Sequence, residues 1–287
     1  MRVGVDVGGS LTKIAIDDDG ARLYRLLEHT DPDRVAAWLP QAASVYATGC
    51  GARELASRLK SPVKVLDELD CFCAGARQLA REQGLGERLF VLTSMGTGTS
   101  VFRVTGESGA SAGTRADSSD DNRDDTGPDS EAGARCGTRV TGTGVGGGTI
   151  TGLGSLLLST GDFAQIMSLA SAGQRQRVDL MVSDLYRNAA ESPVLNALTA
   201  ANFGRGGFCG AGEADIASAI VQLVVEVVAV LSIQAARTHE ARTIVLAGSP
   251  ISHPHIRYRF VEIGQHLGHQ FAFLENGAFC GALGAVL

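Results

Sequence analysis

Four things are scarce in this sequence: paired cysteines, surplus basic charge, long apolar runs and, over one stretch, any large apolar residue at all. The six cysteines, at 50, 71, 73, 136, 209 and 280, include no CxxC pair. A disulfide framework and a zinc site are therefore set aside, and the thiols read as reduced ones in a cytosolic protein. Net charge is −6, without the basic patch that nucleic acid requires. Residues 106–135 hold eight acids against three arginines, so −5 of that −6 sits in one segment. The N-terminus runs directly into a strand pattern, so no secretory leader is expected.

One run, residues 216–231, is apolar enough to suggest a membrane span. Gln222 and Glu226 would then lie in hydrocarbon, at a cost of roughly 2–3 kcal/mol for the carboxylate. Basic flanks are missing, and no other segment is a candidate span. The favoured reading is a central helix, buried on most faces and packed against a partner subunit, with no membrane involved.

The stretch without Val, Ile, Leu, Met or any aromatic residue spans 35 positions, 105–139. It cannot bury enough apolar area to offset the entropy of ordering, so a disordered acidic hairpin insert is expected at about 106–136. Glycine-rich segments flank it: SMGTGTS at 94–100 and GTGVGGGT at 142–149. A third, VDVGGSLTK, occupies 5–13. Glycine lets backbone N–H groups approach an anion without a Cβ in the way. Three such loops point to a polyphosphate gripped from several sides.

Alternation and turn residues predict strands at 2–7, 11–16, 22–27, 44–48, 63–66, 88–93, 242–247 and 270–274. Segments 99–104 and 138–141 should pair as a hairpin around the polar insert. Helices are expected near 32–39, 52–59, 70–82, 150–158, 163–170, 179–186, 215–237, 255–267 and 277–286. Each half opens with strands, carries a Gly loop and closes with α/β units. The expected fold is α/β, with two related domains at 1–88 and 89–287 and a nucleotide cleft between them.

The first loop is strand–turn–strand, so it fits neither a Walker A loop nor a Rossmann fingerprint. Its Gly8-Gly9 turn can still present N–H groups to phosphate. Asp6 could hold Mg²⁺ through water, as suits a hard cation, and Lys13 could reach phosphate as a point charge. The plain alternative is an ordinary hairpin turn. Glu68 follows a strand and stands before the helix expected at 70. It is either a helix N-terminal carboxylate or a general base at a strand's C-terminal end. Arg139 ends the polar insert. It is either a solvated arginine or a guanidinium that stabilises a transferring phosphoryl group.

Eight segments in this order resemble the type II pantothenate kinases, of the acetate/sugar kinase, Hsp70 and actin superfamily. They are GVDVGGSLTKIAI (4–16), DELDCFCAGARQL (67–79), SMGTGTS (94–100), RVTGTGVGGGTITGLGSLL (139–157), DLMVSDLY (179–186), LTAANFG (198–204), VLAGSP (245–250) and ENGAFCGALGAV (275–286). The resemblance implies two actin-like, ribonuclease H-like α/β domains. It also implies ATP-dependent phosphorylation of pantothenate, the first step of coenzyme A synthesis, with ATP and Mg²⁺ as cofactors.

Under that resemblance Gly8, Gly9, Ser10, Leu11, Thr12 and Lys13 form the first ATP-phosphate loop, with Asp6 as the metal-side acid. Glu68 matches the catalytic base and Arg139 the arginine of the phosphoryl-transfer centre. Thr97 and Gly98, then Gly147, Gly148, Thr149, Ile150 and Thr151, match nucleotide-binding stretches. Phe163 stands where some members have Tyr near the adenine, and Ser249 matches a nucleotide contact. The resemblance also implies a homodimer through the helix at about 215–237. Two other readings stay open: another kinase of the superfamily, such as an N-acetylhexosamine kinase, or an inactive nucleotide-binding regulator. Retention of both Glu68 and Arg139 argues against the inactive relative.

Overall fold

The computed structural model describes residues 1–28, 31–39, 44–59, 61–85, 89–105, 137–185, 198–206 and 210–287. The expected disorder of the acidic insert falls outside the described residues. So do Cys136, Cys209 and Tyr186.

The first sheet is built from β1 (Arg2–Val7), β2 (Thr12–Asp18), β3 (Ala21–Leu27), β4 (Ser44–Thr48) and β5 (Val63–Val65). Their order is β3-β2-β1-β4-β5. β1–β2 and β2–β3 are antiparallel, whereas β1–β4 and β4–β5 are parallel. The second sheet uses β6 (Leu89–Met95), β7 (Thr99–Thr105), β8 (Gly137–Thr143), β11 (Thr243–Ala247) and β12 (Phe271–Phe273). Its order is β12-β11-β6-β7-β8, again with an antiparallel meander followed by two parallel strands. The two sheets therefore repeat one topology, which bears out the expectation of two related α/β halves. A further pair, β9 (Leu180–Met181) and β10 (Thr199–Ala201), stands apart.

Period-two alternation decides what each sheet face meets. In β1, Val3, Val5 and Val7 face an outer core with Leu55 of α2 (Ala52–Arg58) and Val35 of α1 (Pro32–Ala36). The inner faces of both sheets close on α3 (Glu68–Glu82) and α9 (Cys280–Gly284). Phe90 and Leu92 of β6 join that middle layer, while Val91 and Met95 point the other way. There they meet α4 (Gly147–Leu157), α5 (Phe163–Ala172), α7 (Glu213–Thr238) and α8 (Pro254–Leu267).

Several boundaries differ from the sequence expectation. Asp67, not a later residue, caps α3 by accepting from the Asp70 N–H at 3.0 Å, which puts Glu68 inside the first turn. The segment at 179–185 splits into β9 and a single turn, α6 (Val182–Leu185). The final helix begins as a 3₁₀ turn at Gly277–Phe279, after a left-handed Asn276. The long helix α7 is apolar enough to cross a membrane by length and composition, yet 67% of its most apolar window is buried inside the protein. One buried polar pair on it is satisfied internally, Ser232 Oγ with Thr93 Oγ1 of β6 at 2.8 Å.

α9 returns the chain's end to α3 and β1, so the middle layer holds residues from both ends. The two helices cross with almost no separation. A Cβ on Gly284 would overlap the carbonyl oxygen of Cys71, and one on Gly75 would overlap that of Cys280. Gly284→Ala must push backbone against backbone, so a loss of about 1–3 kcal/mol is expected. A lowered thermal midpoint checks it; an unchanged midpoint would mean that the helices part without cost.

Candidate active site

The first turn of each sheet's meander is a glycine-rich loop: residues 8–11 between β1 and β2, and 96–98 between β6 and β7. The duplication brings these two turns together. Ser10 Oγ lies 3.4 Å from Thr97 Oγ1. Within the turns, Gly8 N–H donates to Leu11 O at 3.1 Å and Gly96 N–H to Gly98 O at 2.8 Å. Among the described residues the amides of Gly9, Ser10 and Thr97 have no protein acceptor. Unspent donors converging from two turns make an anion cradle.

Asp6 and Lys13 face each other across β1 and β2, with Lys13 Nζ 3.8 Å from Asp6 Oδ2. The Asp6 carboxylate fills a slot between two glycines. A side chain at Gly49 would come 2.7 Å from Oδ1, and one at Gly281 2.9 Å from Oδ2. Burial raises the Asp6 pKa, and Lys13 offsets part of that rise. Glu68 belongs to the same electrostatic cluster. Its side chain opens to solvent, yet partial loss of water around its carboxyl raises its pKa, and the Asp6 carboxylate adds to the rise. Lys13 opposes the shift.

Arg139 lies on β8, where a register shift opposite Val101 and Phe102 makes a β-bulge. Its guanidinium occupies the space a Gly142 side chain would need, and its Nε reaches Ser100 Oγ at 3.4 Å. Gly137 of the same strand abuts Cys73 of α3, so β8 runs against the helix that starts at Glu68. No direct contact joins Arg139 to Glu68 among the described residues.

The third glycine segment behaves differently from its sequence expectation. The N–H groups of Gly147 and Gly148 donate to the carbonyls of Gly96 and Thr97, each at 2.8 Å. Gly146 N–H goes to Thr149 Oγ1 at 3.1 Å, and Thr151 Oγ1 donates to Gly148 O at 3.2 Å. These amides are spent inside the protein, so the glycines here serve close docking of α4 on the 96–98 turn rather than an anion. Thr12 and Ile150 turn their side chains inward: both are fully buried, Ile150 in the core beneath the second sheet. Alternation on β2 and helical spacing on α4 turn them inward.

Ser249 follows Gly248 at the end of β11, beside β6. Pro250 there lies near Gly147. Phe163 meets His253 edge to face, with ring centroids 6.1 Å apart. The 249–253 turn, α4 and the start of α5 thus form one wall next to the 96–98 turn. Ser100, Gly49 and Gly281 were not singled out by sequence reasoning, although Ser100 and Gly281 lie inside recognised motifs.

A family model described as Fumble matches residues 132–287. A type II pantothenate kinase of Oceanobacillus iheyensis is 31% identical, across 100% of this chain and 98% of its own length. One of Staphylococcus aureus strain USA300 is 32% identical with the same coverage. Among solved structures, component A of the (R)-2-hydroxyglutaryl-CoA dehydratase of Acidaminococcus fermentans superposes with a TM-score of 0.58. It is 19% identical and covers 99% of this chain and 95% of its own, a likeness of fold alone. The architecture is that of the actin-like ATPases.

Proposed function

This chain belongs to the type II pantothenate kinase family, and we propose that it phosphorylates the primary 4′-hydroxyl of pantothenate with ATP, the first step of coenzyme A synthesis. The observation that carries the mechanism is the meeting of the two duplicated turns at Ser10 and Thr97, beside Asp6, Lys13 and Glu68. Glu68 takes the hydroxyl proton as the oxygen attacks the γ-phosphorus in line. The bond from that phosphorus to the β,γ-bridging oxygen breaks, and ADP leaves with the electron pair. The amides of Gly9, Ser10 and Thr97, with Arg139 and Lys13, stabilise charge on the phosphoryl oxygens.

Mg²⁺ fits this donor set. Asp6 offers a carboxylate at the loop, and no cluster of three His, Cys, Asp or Glu exists among the described residues to enclose a metal. That suits an ion held through water and phosphate oxygens, supplying charge neutralisation there. Closure of the halves, at 1–88 and 89–287, would exclude water and suppress idle ATP hydrolysis.

The pH dependence follows from Glu68. A base must be deprotonated to work, and its pKa is raised by lost hydration and by Asp6. The acid limb of kcat/KM for pantothenate is therefore expected to inflect above the usual glutamate value, with activity rising as pH rises through it. An inflection at or below an ordinary carboxylate pKa would contradict this role.

A homodimer through α7 and a cytosolic location complete the proposal. The helix leaves one stripe uncovered, including Val227, Val230 and Leu231, which supports a second copy there. Cys50, Cys71, Cys73 and Cys280 are free thiols, which supports a reducing compartment. An ADP-release assay with pantothenate beside N-acetylglucosamine tests the substrate. Turnover on the sugar alone would replace this reading with that of a hexosamine kinase.

A further inference from the structure

Glu68 is the first residue of α3, reached from β5 through Leu66 and Asp67. After burial, its pKa answers to Asp6, Lys13 and Asp67, the charged groups around it, so its place among them matters. One buried hydroxyl holds both ends of the segment that carries it. Thr48, the last residue of β4, is fully buried and is the register partner of Asp6 on β1. Paired residues of neighbouring strands share a face of the sheet, so the two side chains lie side by side.

Thr48 Oγ1 donates to Leu66 O at 3.2 Å, just before Glu68 in the chain. The same hydroxyl hydrogen-bonds the Cys71 thiol, just after it. Burial pushes that thiol up to about 11, so at neutral pH it keeps its proton and can donate. A hydroxyl has a single proton, and here Leu66 O takes it. The bonds therefore run one way, from Cys71 Sγ to Thr48 Oγ1 to Leu66 O. Backbone bonds complete the frame: Leu66 N–H donates to Ala47 O at 2.8 Å, and Cys71 N–H to Asp67 O at 3.1 Å. From behind, Gly284 packs on the Cys71 carbonyl and Gly281 on the Asp6 carboxylate. Segment 66–71 is thus tied at both ends to the strand beside Asp6.

We propose that Thr48 is a positioning residue for the Glu68 base: its hydroxyl clamps residues 66–71 to β4 and so fixes the carboxylate against Asp6 and Lys13. No contact with substrate is required of it. It acts through the geometry of proton transfer, where a small misplacement of the base is costly in rate. The inference rests on the kinase reading above.

Thr48→Val keeps the volume of the side chain and removes the hydroxyl. Steady-state kinetics on the full-length protein should show kcat lowered ~10–100-fold, with KM for ATP within about twofold of wild type. Released from the clamp, Glu68 gains water and distance from Asp6, so the acid limb of kcat/KM should move to lower pH. Thr48→Ser restores the hydroxyl and should recover most of the rate. In the Glu68→Gln background Thr48→Val should cost almost nothing further, because the side chain it positions no longer acts as a base. A purely structural role would lower the rate alike in both backgrounds and leave the acid limb in place, and that result overturns the proposal. So would wild-type kinetics in folded Thr48→Val. If Thr48→Val does not fold, Cys71→Ala decides the matter, since it opens one end of the clamp. It should lower kcat about threefold or more and move the acid limb the same way; a wild-type rate and acid limb would overturn the proposal. Failure of the wild-type protein to phosphorylate pantothenate would overturn the kinase reading itself, a separate outcome.

Discussion

Glu68→Gln is expected to cut turnover on pantothenate by ~10²–10⁴-fold while leaving the KM for ATP near that of the wild type. The amide keeps the size of the side chain and its place in the first turn of α3, but it cannot accept a proton. Nucleotide affinity should survive because the amides of Gly9, Ser10 and Thr97 do not depend on Glu68. A second effect has a definite sign. The Glu68 pKa is raised in the folded protein, so the folded state holds that proton more tightly than the unfolded chain. Its stability then falls as pH rises through the window between the two values, and the ionised carboxylate is a burden at neutral pH. The glutamine variant should accordingly melt no lower than the wild type at pH 7. Lost activity in a protein of equal or higher thermal midpoint would separate chemistry from misfolding. Near-normal turnover would remove Glu68 from the mechanism.

Arg139→Ala should be comparably damaging, with turnover reduced ~10³-fold or more and little recovered by Arg139→Lys. The reason lies in how the side chain is held. The bulge at β8 re-aims it, Ser100 accepts from its Nε, and the bare backbone of Gly142 leaves room for the planar group. A lysine has neither the planar fork nor the Nε donor. If Arg139→Lys kept most of the rate, a simple point charge would suffice and the geometry of the guanidinium would be incidental.

Much of this arrangement was legible in the sequence because it is local. Alternation around Gly8-Gly9 and around 96–98 gave both meanders, and the repeated order of strand and loop gave two related halves. The boundary at Glu68 was misplaced by two residues because Asp67 and Asp70 are both plausible caps, and only the hydrogen bond to the Asp70 amide chooses between them. The glycines at 146–148 looked like a third phosphate cradle, since close docking and anion binding need the same small residue. Only the carbonyls of Gly96 and Thr97 show where their amides go. Thr12 and Ile150 were carried along with their motifs, and their side chains turn into the core.

The hydrogen bonds that Glu226 accepts from Thr199, Gln222 and Asn202 were invisible for a different reason. In sequence, Glu226 and Gln222 stood out solely as polar residues in an apolar helix. Their partners Thr199 and Asn202 lie more than 20 residues away, in a three-residue strand and the turn beyond it. No periodicity marks a strand that short. Tertiary packing alone reveals that the carboxylate on α7 is supported rather than tolerated.

The central claim is the identity of the reaction, and the product states it most directly. Wild-type protein would be incubated with Mg-ATP and pantothenate, and the product analysed by mass and phosphorus NMR. One phosphate on the primary hydroxyl, formed in step with ADP and absent with Glu68→Gln, is the expected result. ADP formed without phosphorylated pantothenate, or no reaction by a protein that still binds ATP, would contradict it.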